Sequence, residues 1–172
     1  MVVRRVPSAA TRLRTFDYTG LYHVFLTFCT CGRAAFFTEP DRVALVWGEI
    51  LRTAEAEGVA ISAHCFMPDH VHLLAEGRRA DTNIRRFVHQ AKQRSGYEFS
   101  RRFHQKLWQP SWYDRVLRED EETPRVVRYI LENPVRAGLV ESYEQYPFCG
   151  SLVYPEDLIK AWIEELESWE QP

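Results

Sequence analysis

Two histidines separated by one residue have a spacing that suits metal chemistry. His70 and His72 lie in the segment Met67-Pro-Asp-His-Val-His-Leu-Leu74. In a β-strand, residues i and i+2 project from the same face, so both imidazoles would lie on one side of a sheet. Two neutral imidazole nitrogens can bind a divalent ion if a third ligand lies nearby. The same spacing also occurs without function, when the rings only pack.

A tyrosine and an asparagine four residues apart offer complementary groups. Tyr129 and Asn133 occur in Arg128-Tyr-Ile-Leu-Glu-Asn-Pro134, and side chains at i and i+4 share one helix face. A tyrosine hydroxyl can act as a nucleophile once it is deprotonated, and an amide oxygen can bind an ion. The following proline biases Asn133 away from helical geometry, so the spacing argument is approximate. The alternative is that Tyr129 packs in the core and Asn133 turns the chain.

The apolar pattern predicts the elements that would position these residues. Residues 21–31 are β-branched and aromatic, which predicts a central strand. A capping box at residues 38–41 and a glycine at position 58 bound the first predicted helix. Residues 59–67 and 70–76 then predict a β-hairpin that turns at a Pro-Asp pair. His70 and His72 would lie on its second strand.

The second half of the chain continues this alternation. Asp81 or Thr82 is the predicted N-cap of a second helix. Residues 112–118 predict a fourth strand, and Thr123 followed by proline begins a third helix. The order predicts an α+β, ferredoxin-like (βαββαβ) fold: a four-stranded antiparallel sheet with helices on one face. An additional C-terminal helix would carry Tyr129.

Length and composition favour a single domain. The chain has 172 residues, of which 45% are hydrophobic, enough for one well-packed core. We expect this core at about residues 20–152, with residues 1–19 and 153–172 as terminal extensions. The sequence shows no signal peptide or membrane-spanning run, which predicts a cytoplasmic protein without membrane association. Four cysteines that form no CxxC pair are expected to be free thiols.

Positive charge is concentrated in one segment. The net charge is -2, but residues 78–106 contain nine Lys or Arg and two acidic residues, an excess of seven positive charges. A local positive surface suits phosphate binding, although a solvated helix face would show the same pattern. The predicted DNA-binding residues are these nine cations and two tryptophans that could stack on bases: Arg78, Arg79, Arg85, Arg86, Lys92, Arg94, Arg101, Arg102, Lys106, Trp108 and Trp112.

Four motifs carry a resemblance to a known family. They are Tyr22-His-Val24, Met67-Pro-Asp-His-Val-His-Leu-Leu74, Trp108-Gln-Pro-Ser-Trp-Tyr-Asp-Arg-Val-Leu-Arg118 and Tyr129-Ile-Leu-Glu-Asn-Pro-Val-Arg-Ala-Gly-Leu-Val140. Across about residues 22–151 the chain resembles the insertion-sequence-type HUH single-strand transposases, and more closely the REP-associated tyrosine transposases. One departure is Phe148-Cys-Gly-Ser151, where many members have paired serines.

The resemblance implies both site residues and a reaction. It implies that His70, His72 and Asn133 hold Mg²⁺ or Mn²⁺ and that Tyr129 attacks DNA. The expected function is nicking and joining of single-stranded DNA through a covalent 5′-phosphotyrosine, on hairpin-forming palindromes. No nucleotide cofactor is expected, because the phosphotyrosine conserves the energy of the ester and the sequence contains no GxxxxGK[ST] loop. The protein would act as a monomer or a homodimer.

Two other functions fit the same residues. One is a non-catalytic protein of the same fold that binds hairpin DNA or RNA. The other is a metal-dependent hydrolase in which water attacks, built from His64, Asp69, His70 and His72. Tyr113 is a rival nucleophile, but it lies on a predicted strand and has no amide partner at helical spacing.

Overall fold

Strands and helices alternate along the chain in the predicted order. The computed structural model describes residues 16–117 and 122–170. The strands are β1 (His23–Cys29), β2 (Val59–Met67), β3 (His70–Gly77), β4 (Tyr113–Val116) and β5 (Cys149–Gly150). The helices are α1 (Pro40–Glu57), α2 (Ile84–Phe103), α3 (Glu122–Leu131), α4 (Asn133–Arg136) and α5 (Glu156–Glu170).

The strands form one antiparallel sheet in the order β4-β1-β3-β2-β5. Because β3 lies between β1 and β2, α1 crosses from one strand to the other, and α2 connects β3 to β4. These interleaved crossovers confirm the ferredoxin-like α+β prediction. The predicted count of four strands was wrong, because β5 adds a two-residue strand beside β2. A strand of two residues has no alternating pattern from which it could be predicted.

Helices cover both faces of the sheet. On one face α1 and α2 enclose a core that includes Phe28 and Phe66. On the other face α3 packs against the sheet in a core that includes Phe25 and Leu74, and α5 packs on α3. The helices that were predicted to cover one face of the sheet are therefore α1 and α2. The C-terminal helices α3 and α5 form a second layer on the other face. Tyr129 belongs to this second layer, because it lies within α3.

The N-cap of α2 differs from the prediction. Asn83 caps this helix, since its side-chain oxygen accepts a hydrogen bond from the Arg86 amide at 2.8 Å. Asp81 and Thr82 were the predicted caps, and neither fills this position. The buried Thr82 hydroxyl instead donates to the carbonyl oxygen of Gly58 at 3.0 Å. Three successive residues that favour N-caps made the choice ambiguous in the sequence.

The predicted capping box at the start of α1 was also wrong. Glu39 occupies the N-cap position, without a side-chain cap bond, and Pro40 begins the helix. The Thr38 hydroxyl donates to the carbonyl oxygen of Ala35 at 3.1 Å, within the turn that precedes the helix. Proline in the first turn is favourable because that position needs no amide donor.

The described parts of both predicted terminal extensions belong to the packed domain. Tyr18 is buried, and its hydroxyl donates to the Asp114 carboxylate. Ile159 of α5 is buried in the core that contains α3. Apolar side chains therefore anchor these parts to the core. Residues 1–15 and 171–172 lie outside the described residues.

All four cysteines carry free thiols. Cys65 and Cys149 face each other across the β2–β5 pair. No helix within residues 16–117 and 122–170 is long and apolar enough to span a membrane.

Candidate active site

Two histidine rings converge on the sheet face that α3 covers. His70 and His72 both lie on β3, and their Nε2 atoms are 3.1 Å apart. Their ring centroids are 4.7 Å apart, with the ring planes at 80°. The prediction that both imidazoles lie on the same face is confirmed.

Each imidazole is held at its Nδ1 atom. The Asp69 carboxylate lies 2.6 Å from Nδ1 of His70. An ionised carboxylate can only accept a hydrogen bond, so Nδ1 of His70 donates and, in the neutral ring, Nε2 keeps its lone pair. Thr27 Oγ1 lies 2.8 Å from Nδ1 of His72, across the β1–β3 register. Both rings thus direct their Nε2 atoms toward the same point.

The turn before His70 is fixed by the chain that follows β1. The amide and the buried hydroxyl of Thr30 donate to the carbonyl oxygen of Asp69 at 3.0 and 2.9 Å. Arg33 pairs with the Asp69 carboxylate through its Nε atom at 3.3 Å. Arg33 adopts a left-handed backbone conformation (φ 57°), which is unfavourable for a residue with a side chain. The ion pair and these hydrogen bonds orient Asp69 toward His70.

The geometry of the histidine pair fits a shared divalent ion. In an octahedral site, two adjacent nitrogen ligands bind at an angle of about 90° and each lies about 2.1 Å from the ion, so the two nitrogens are about 3 Å apart. The Nε2 atoms of His70 and His72 are separated by 3.1 Å. Two lone pairs at this distance repel each other unless a positive centre lies between them or one ring donates a proton to the other. The pair can therefore supply two ligands to one ion.

His72 is in the protonation state that a metal ligand needs. Burial, followed by the positive charges of His70, Arg136 and Arg33, lowers the pKa of His72 from 6.5 to about 3. The ring is therefore neutral near pH 7, and a neutral imidazole nitrogen can donate its lone pair to a metal.

Among the described residues, a third metal ligand would have to be of another residue type. In the described part of the chain, no histidine, cysteine, aspartate or glutamate joins the pair to form a three-residue metal cluster. Asn133, the predicted third ligand, begins α4, and its Nδ2 donates to the carbonyl oxygen of Tyr129 at 2.7 Å. This bond leaves the Asn133 Oδ1 atom as the possible ligand. Its coordination of a metal stays a prediction.

Tyr129 lies beside the histidine pair with its side chain 44% exposed. Its ring centroid is 5.8 Å from that of His72 and 5.8 Å from that of Phe25. The Arg136 guanidinium lies 4.6 Å from the ring centroid and also donates to the Tyr129 carbonyl oxygen. Tyr129 is therefore accessible to a substrate, and the alternative that it packs in the core is wrong.

A cavity of about 580 Å³ opens between α3 and β4, and we call it the Tyr129 cavity. Its walls include Phe25, His72, Tyr113, Arg115, Arg125 and Tyr129. Sequence reasoning missed both arginines. Two local signals were available: Arg115 follows Tyr113 by two residues on β4, and Arg125 precedes Tyr129 by four residues on α3. Each arginine therefore shares a face with a tyrosine that was considered for catalysis.

The predicted basic segment lies mainly on α2, whose apolar residues pack on the sheet face opposite the histidines. Four of its nine cations form ion pairs: Arg79 with Asp81, Arg86 with Glu57, Arg101 with Glu98, and Arg102 with Asp41. Lys92 Nζ donates to the carbonyl oxygens of Gln109 and Ser111 at 2.8 Å each. Among the described residues, no ion pair involves the exposed Arg78, Arg85, Arg94 or Lys106.

The two predicted base-stacking tryptophans differ in exposure. Trp108 is only 6% exposed, and its indole Nε1 donates to Ser95 Oγ at 2.9 Å. The expectation that Trp108 is exposed for base stacking was therefore wrong, because the chain after α2 directs this ring into the core. Trp112 is partly buried beside β4, with its ring 5.0 Å from that of His89 and 5.5 Å from the Lys92 ammonium.

The three-histidine hydrolase arrangement is not present. His64 stacks on Trp47 of α1, with ring centroids 4.2 Å apart, on the face opposite His70 and His72. Burial lowers the pKa of His64 to about 4. Tyr113, the rival nucleophile, lies on β4 with 44% exposure and lines the Tyr129 cavity.

The family model described as "Transposase IS200 like" matches residues 18–133. This match covers more than half of the 172 residues and includes both histidines, Tyr129 and Asn133. The chain belongs to the IS200-like transposase family. The family assignment agrees with the resemblance that the four sequence motifs carry.

This IS200-like transposase is also similar to an individual transposase of known sequence. A Haemophilus influenzae protein assigned as a REP-associated tyrosine transposase is 30% identical over 118 residues. The alignment covers 59% of this chain and 65% of that relative, less than two thirds of its length.

Two solved structures share the fold. A REP-associated tyrosine transposase bound to a REP hairpin superposes with a TM-score of 0.69 and 19% identity, covering 81% of this chain and 82% of that one. A Deinococcus radiodurans protein assigned as a transposase gives a TM-score of 0.50 and 24% identity, covering 73% of this chain and 97% of the other.

Proposed function

We propose that this IS200-like transposase cuts and rejoins single-stranded DNA with Tyr129 as its nucleophile. The observation that carries the proposal is the position of Tyr129: an exposed tyrosine whose ring lies 5.8 Å from that of His72, beside two histidine nitrogens that are 3.1 Å apart. A nucleophile and two metal-ligating groups on one side of a cavity form a recognisable arrangement for phosphoryl transfer.

In this proposal His70, His72 and the side-chain oxygen of Asn133 would hold Mg²⁺ or Mn²⁺. The bound ion would neutralise the phosphate oxygens and stabilise the departing 3′ oxygen. Histidine and amide ligands are neutral, so they would leave most of the ion's charge available to the substrate. The held Nδ1 atoms of both histidines support this assignment, because they orient the two Nε2 atoms in advance.

The reaction would exchange one phosphate ester for another. The Tyr129 oxygen, after losing its proton to solvent, attacks phosphorus, and a bond forms between that oxygen and the 5′ phosphate. The bond between phosphorus and the 3′ oxygen breaks, and the 3′ oxygen takes up a proton. Attack by a second 3′ hydroxyl then releases tyrosine and joins a new strand. No nucleotide cofactor is needed, because the number of phosphate ester bonds is unchanged.

The proposed substrate is single-stranded DNA beside a hairpin. Tyr129 lies on a helix packed against the sheet, so the cleaved phosphodiester must be unpaired to reach it. A hairpin is proposed because a solved relative of the same fold is bound to a REP hairpin. One chain brings both histidines and Tyr129 together, which supports activity as a monomer, with a homodimer as the alternative. Because its substrate would be chromosomal DNA, we expect it to act in the cytoplasm.

The test is a covalent adduct on a labelled hairpin with a single-stranded flank. With Mg²⁺ or Mn²⁺, the wild type should yield a protein-DNA adduct that survives denaturation, and no adduct should form in EDTA. Tyr129→Phe keeps the ring and deletes the attacking oxygen, so it should bind DNA and form no adduct. Tyr113→Phe is the matched control, because Tyr113 is equally exposed in the same cavity.

Three outcomes would overturn this proposal. An adduct that persists in Tyr129→Phe and disappears in Tyr113→Phe would assign the nucleophile to Tyr113. Cleavage by the wild type without an adduct at any time would show that water attacks. Hairpin binding without metal-dependent cleavage would show a non-catalytic binding protein.

A further inference from the structure

A second cavity adjoins the Tyr129 cavity along β4. This Trp112 cavity measures about 280 Å³, and its walls include Gln109, Ser111, Trp112 and Asp114. Thr27 and Tyr113 line both cavities. The two cavities are therefore neighbours that meet at these residues, and we call them together the track. The proposed attack on phosphorus uses only the Tyr129 end of this track.

Tyr113 stands where the two cavities meet. Tyr113 is 44% exposed, and its ring forms a T-shaped pair with that of Phe25, with centroids 6.1 Å apart. The exposed part of the Tyr113 ring is open to a ligand in either cavity. Unpaired bases stack on exposed aromatic rings irrespective of base identity. The position of Tyr113 therefore suits a platform for one base.

The two parts of the track differ in chemistry. Arg115 and Arg125 line the Tyr129 cavity, where guanidinium groups can pair with phosphate oxygens. Gln109 and Ser111 line the Trp112 cavity with side chains that both donate and accept hydrogen bonds. The first part suits a phosphate and the second suits the edge of a base. The Tyr129 cavity, at about 580 Å³, has the size of a site for a small ligand such as a nucleotide.

The loop beside the Trp112 cavity is rigidly held. Lys92 Nζ donates to the carbonyl oxygens of Gln109 and Ser111 at 2.8 Å and to that of Pro110 at 3.4 Å. The Gln109 amide also donates to the carbonyl oxygen of Cys29 at 3.0 Å. A wall fixed in this way needs little reordering when a ligand binds, which favours a preformed site.

We propose that this track binds the unpaired nucleotide next to the cleaved phosphodiester. Its base stacks on Tyr113 and reaches Gln109 and Ser111, and its phosphate lies between Arg115 and Arg125. The inference rests on the proposed cleavage of single-stranded DNA and assigns Tyr113 a binding role in place of a nucleophilic one. DNA beyond this nucleotide would then pass the β4 edge of the sheet, near Trp112.

Photo-crosslinking tests the position of the base. A hairpin carries a single-stranded flank in which 5-iododeoxyuridine replaces one nucleotide at a time, and the protein is Tyr129→Phe in EDTA. We expect one flank position to crosslink to Tyr113, identified by peptide mass spectrometry. Crosslinks confined to α2, or absent from residues 109–113 at every position, would overturn the inference.

Affinity for the same DNA gives an independent measurement. Tyr113→Ala should weaken binding by roughly fivefold to a hundredfold, the range for loss of one stacked base, whereas Tyr113→Phe should bind within about twofold of the parent. Tyr97→Ala is the matched control, because Tyr97 is 66% exposed on α2 outside both cavities. Equal affinities for Tyr113→Ala and Tyr97→Ala would overturn the stacking role.

The arginines are tested through salt dependence. Arg115→Ala and Arg125→Ala should each flatten the log-log plot of affinity against salt by about 0.7. Arg52→Ala is the control, because Arg52 is an exposed cation on α1, outside the track. Slopes that match the control would overturn the phosphate contact. These measurements need neither metal nor Tyr129. A failed adduct assay would therefore overturn the cleavage proposal and leave the binding of DNA in the track to be judged by the crosslinking, affinity and salt measurements. Failure of those measurements would overturn the track and leave the cleavage proposal standing.

Discussion

His70 and His72 are oriented by hydrogen bonds at the nitrogens that point away from each other. We predict that Asp69→Ala lowers the affinity for Mn²⁺ by about tenfold to a hundredfold, the usual cost of losing a group that orients a metal-bound histidine. Thr27→Val should act in the same direction through His72. Isothermal titration calorimetry measures this affinity without DNA. Asp81→Ala is the control, since Asp81 is exposed and pairs with Arg79. Unchanged affinity in Asp69→Ala would contradict the orienting role.

Trp108 and Trp112 should contribute to different properties, Trp108 to the stability of the fold and Trp112 to DNA binding. We predict that Trp108→Ala lowers the free energy of unfolding by about 3–5 kcal/mol, because it empties a buried site and removes the partner of Ser95. Trp112→Ala should cost less stability and weaken DNA binding, because its partly exposed ring borders the track. Urea unfolding and fluorescence anisotropy separate the two effects. A Trp108→Ala protein of normal stability would contradict its core assignment.

At the residue scale, the sequence predicts what local spacing determines. The i, i+2 histidines needed only strand geometry. Tyr129 lies in α3 and Asn133 begins α4, so helical spacing alone does not place this second pair, and its joint role stays a prediction. Exposure of Trp108 was predicted wrongly, because it depends on how the chain after α2 packs against the sheet. Arg115 and Arg125 were missed for a related reason. They come from different elements and meet in one cavity only in the folded chain.

At the scale of elements, α5 stabilises the helix that carries Tyr129. Ile159 is 4% exposed in the core shared with α3, whereas its neighbour Leu158 is 37% exposed. We predict that Ile159→Ala lowers the free energy of unfolding by about 2–5 kcal/mol, the usual cost of truncating a buried isoleucine. Leu158→Ala, the matched control, should change it by about 0.5 kcal/mol or less. Urea unfolding provides the measurement, and equal effects of both variants would contradict the packing of α5.

Element order was predictable because hydrophobic periodicity is a local property. The strand and helix patterns gave the βαββαβ order, and β2 was predicted with its observed bounds. Three features depend on tertiary structure and were not predicted. They are the short β5, which exists only beside β2, the choice of Asn83 as N-cap, and the packing of α5 on α3.

At the scale of the whole molecule, two groups of cations lie on opposite faces of the sheet. Arg115 and Arg125 line the cavity beside Tyr129, while the apolar residues of α2 pack on the opposite face of the sheet. The net charge of -2 does not show this division. DNA that reaches Tyr129 could contact α2 by passing around the β4 edge, where Trp112 lies close to His89 and Lys92 of α2.

The cations of α2 should differ in their contribution to DNA binding according to their ion pairs. We predict that replacing Arg85 and Arg94 with alanine flattens the log-log dependence of hairpin affinity on salt by up to about 1.8, because each phosphate that a cation neutralises contributes about 0.9 to the slope. Neither arginine forms an ion pair within the described residues. Replacing Arg86 and Arg101 is the matched control and should have a smaller effect, because Glu57 and Glu98 already neutralise them.

The same variants also test whether α2 takes part in the chemistry. Because α2 packs on the face opposite His70 and His72, Arg85 and Arg94 should affect capture of DNA and not the reaction of bound DNA. At saturating protein, the rate of adduct formation by the double variant should therefore equal that of the parent. A salt slope unchanged by their replacement would remove α2 from the DNA-binding surface. A slower reaction at saturation would instead require the bound strand to be aligned from both faces of the sheet.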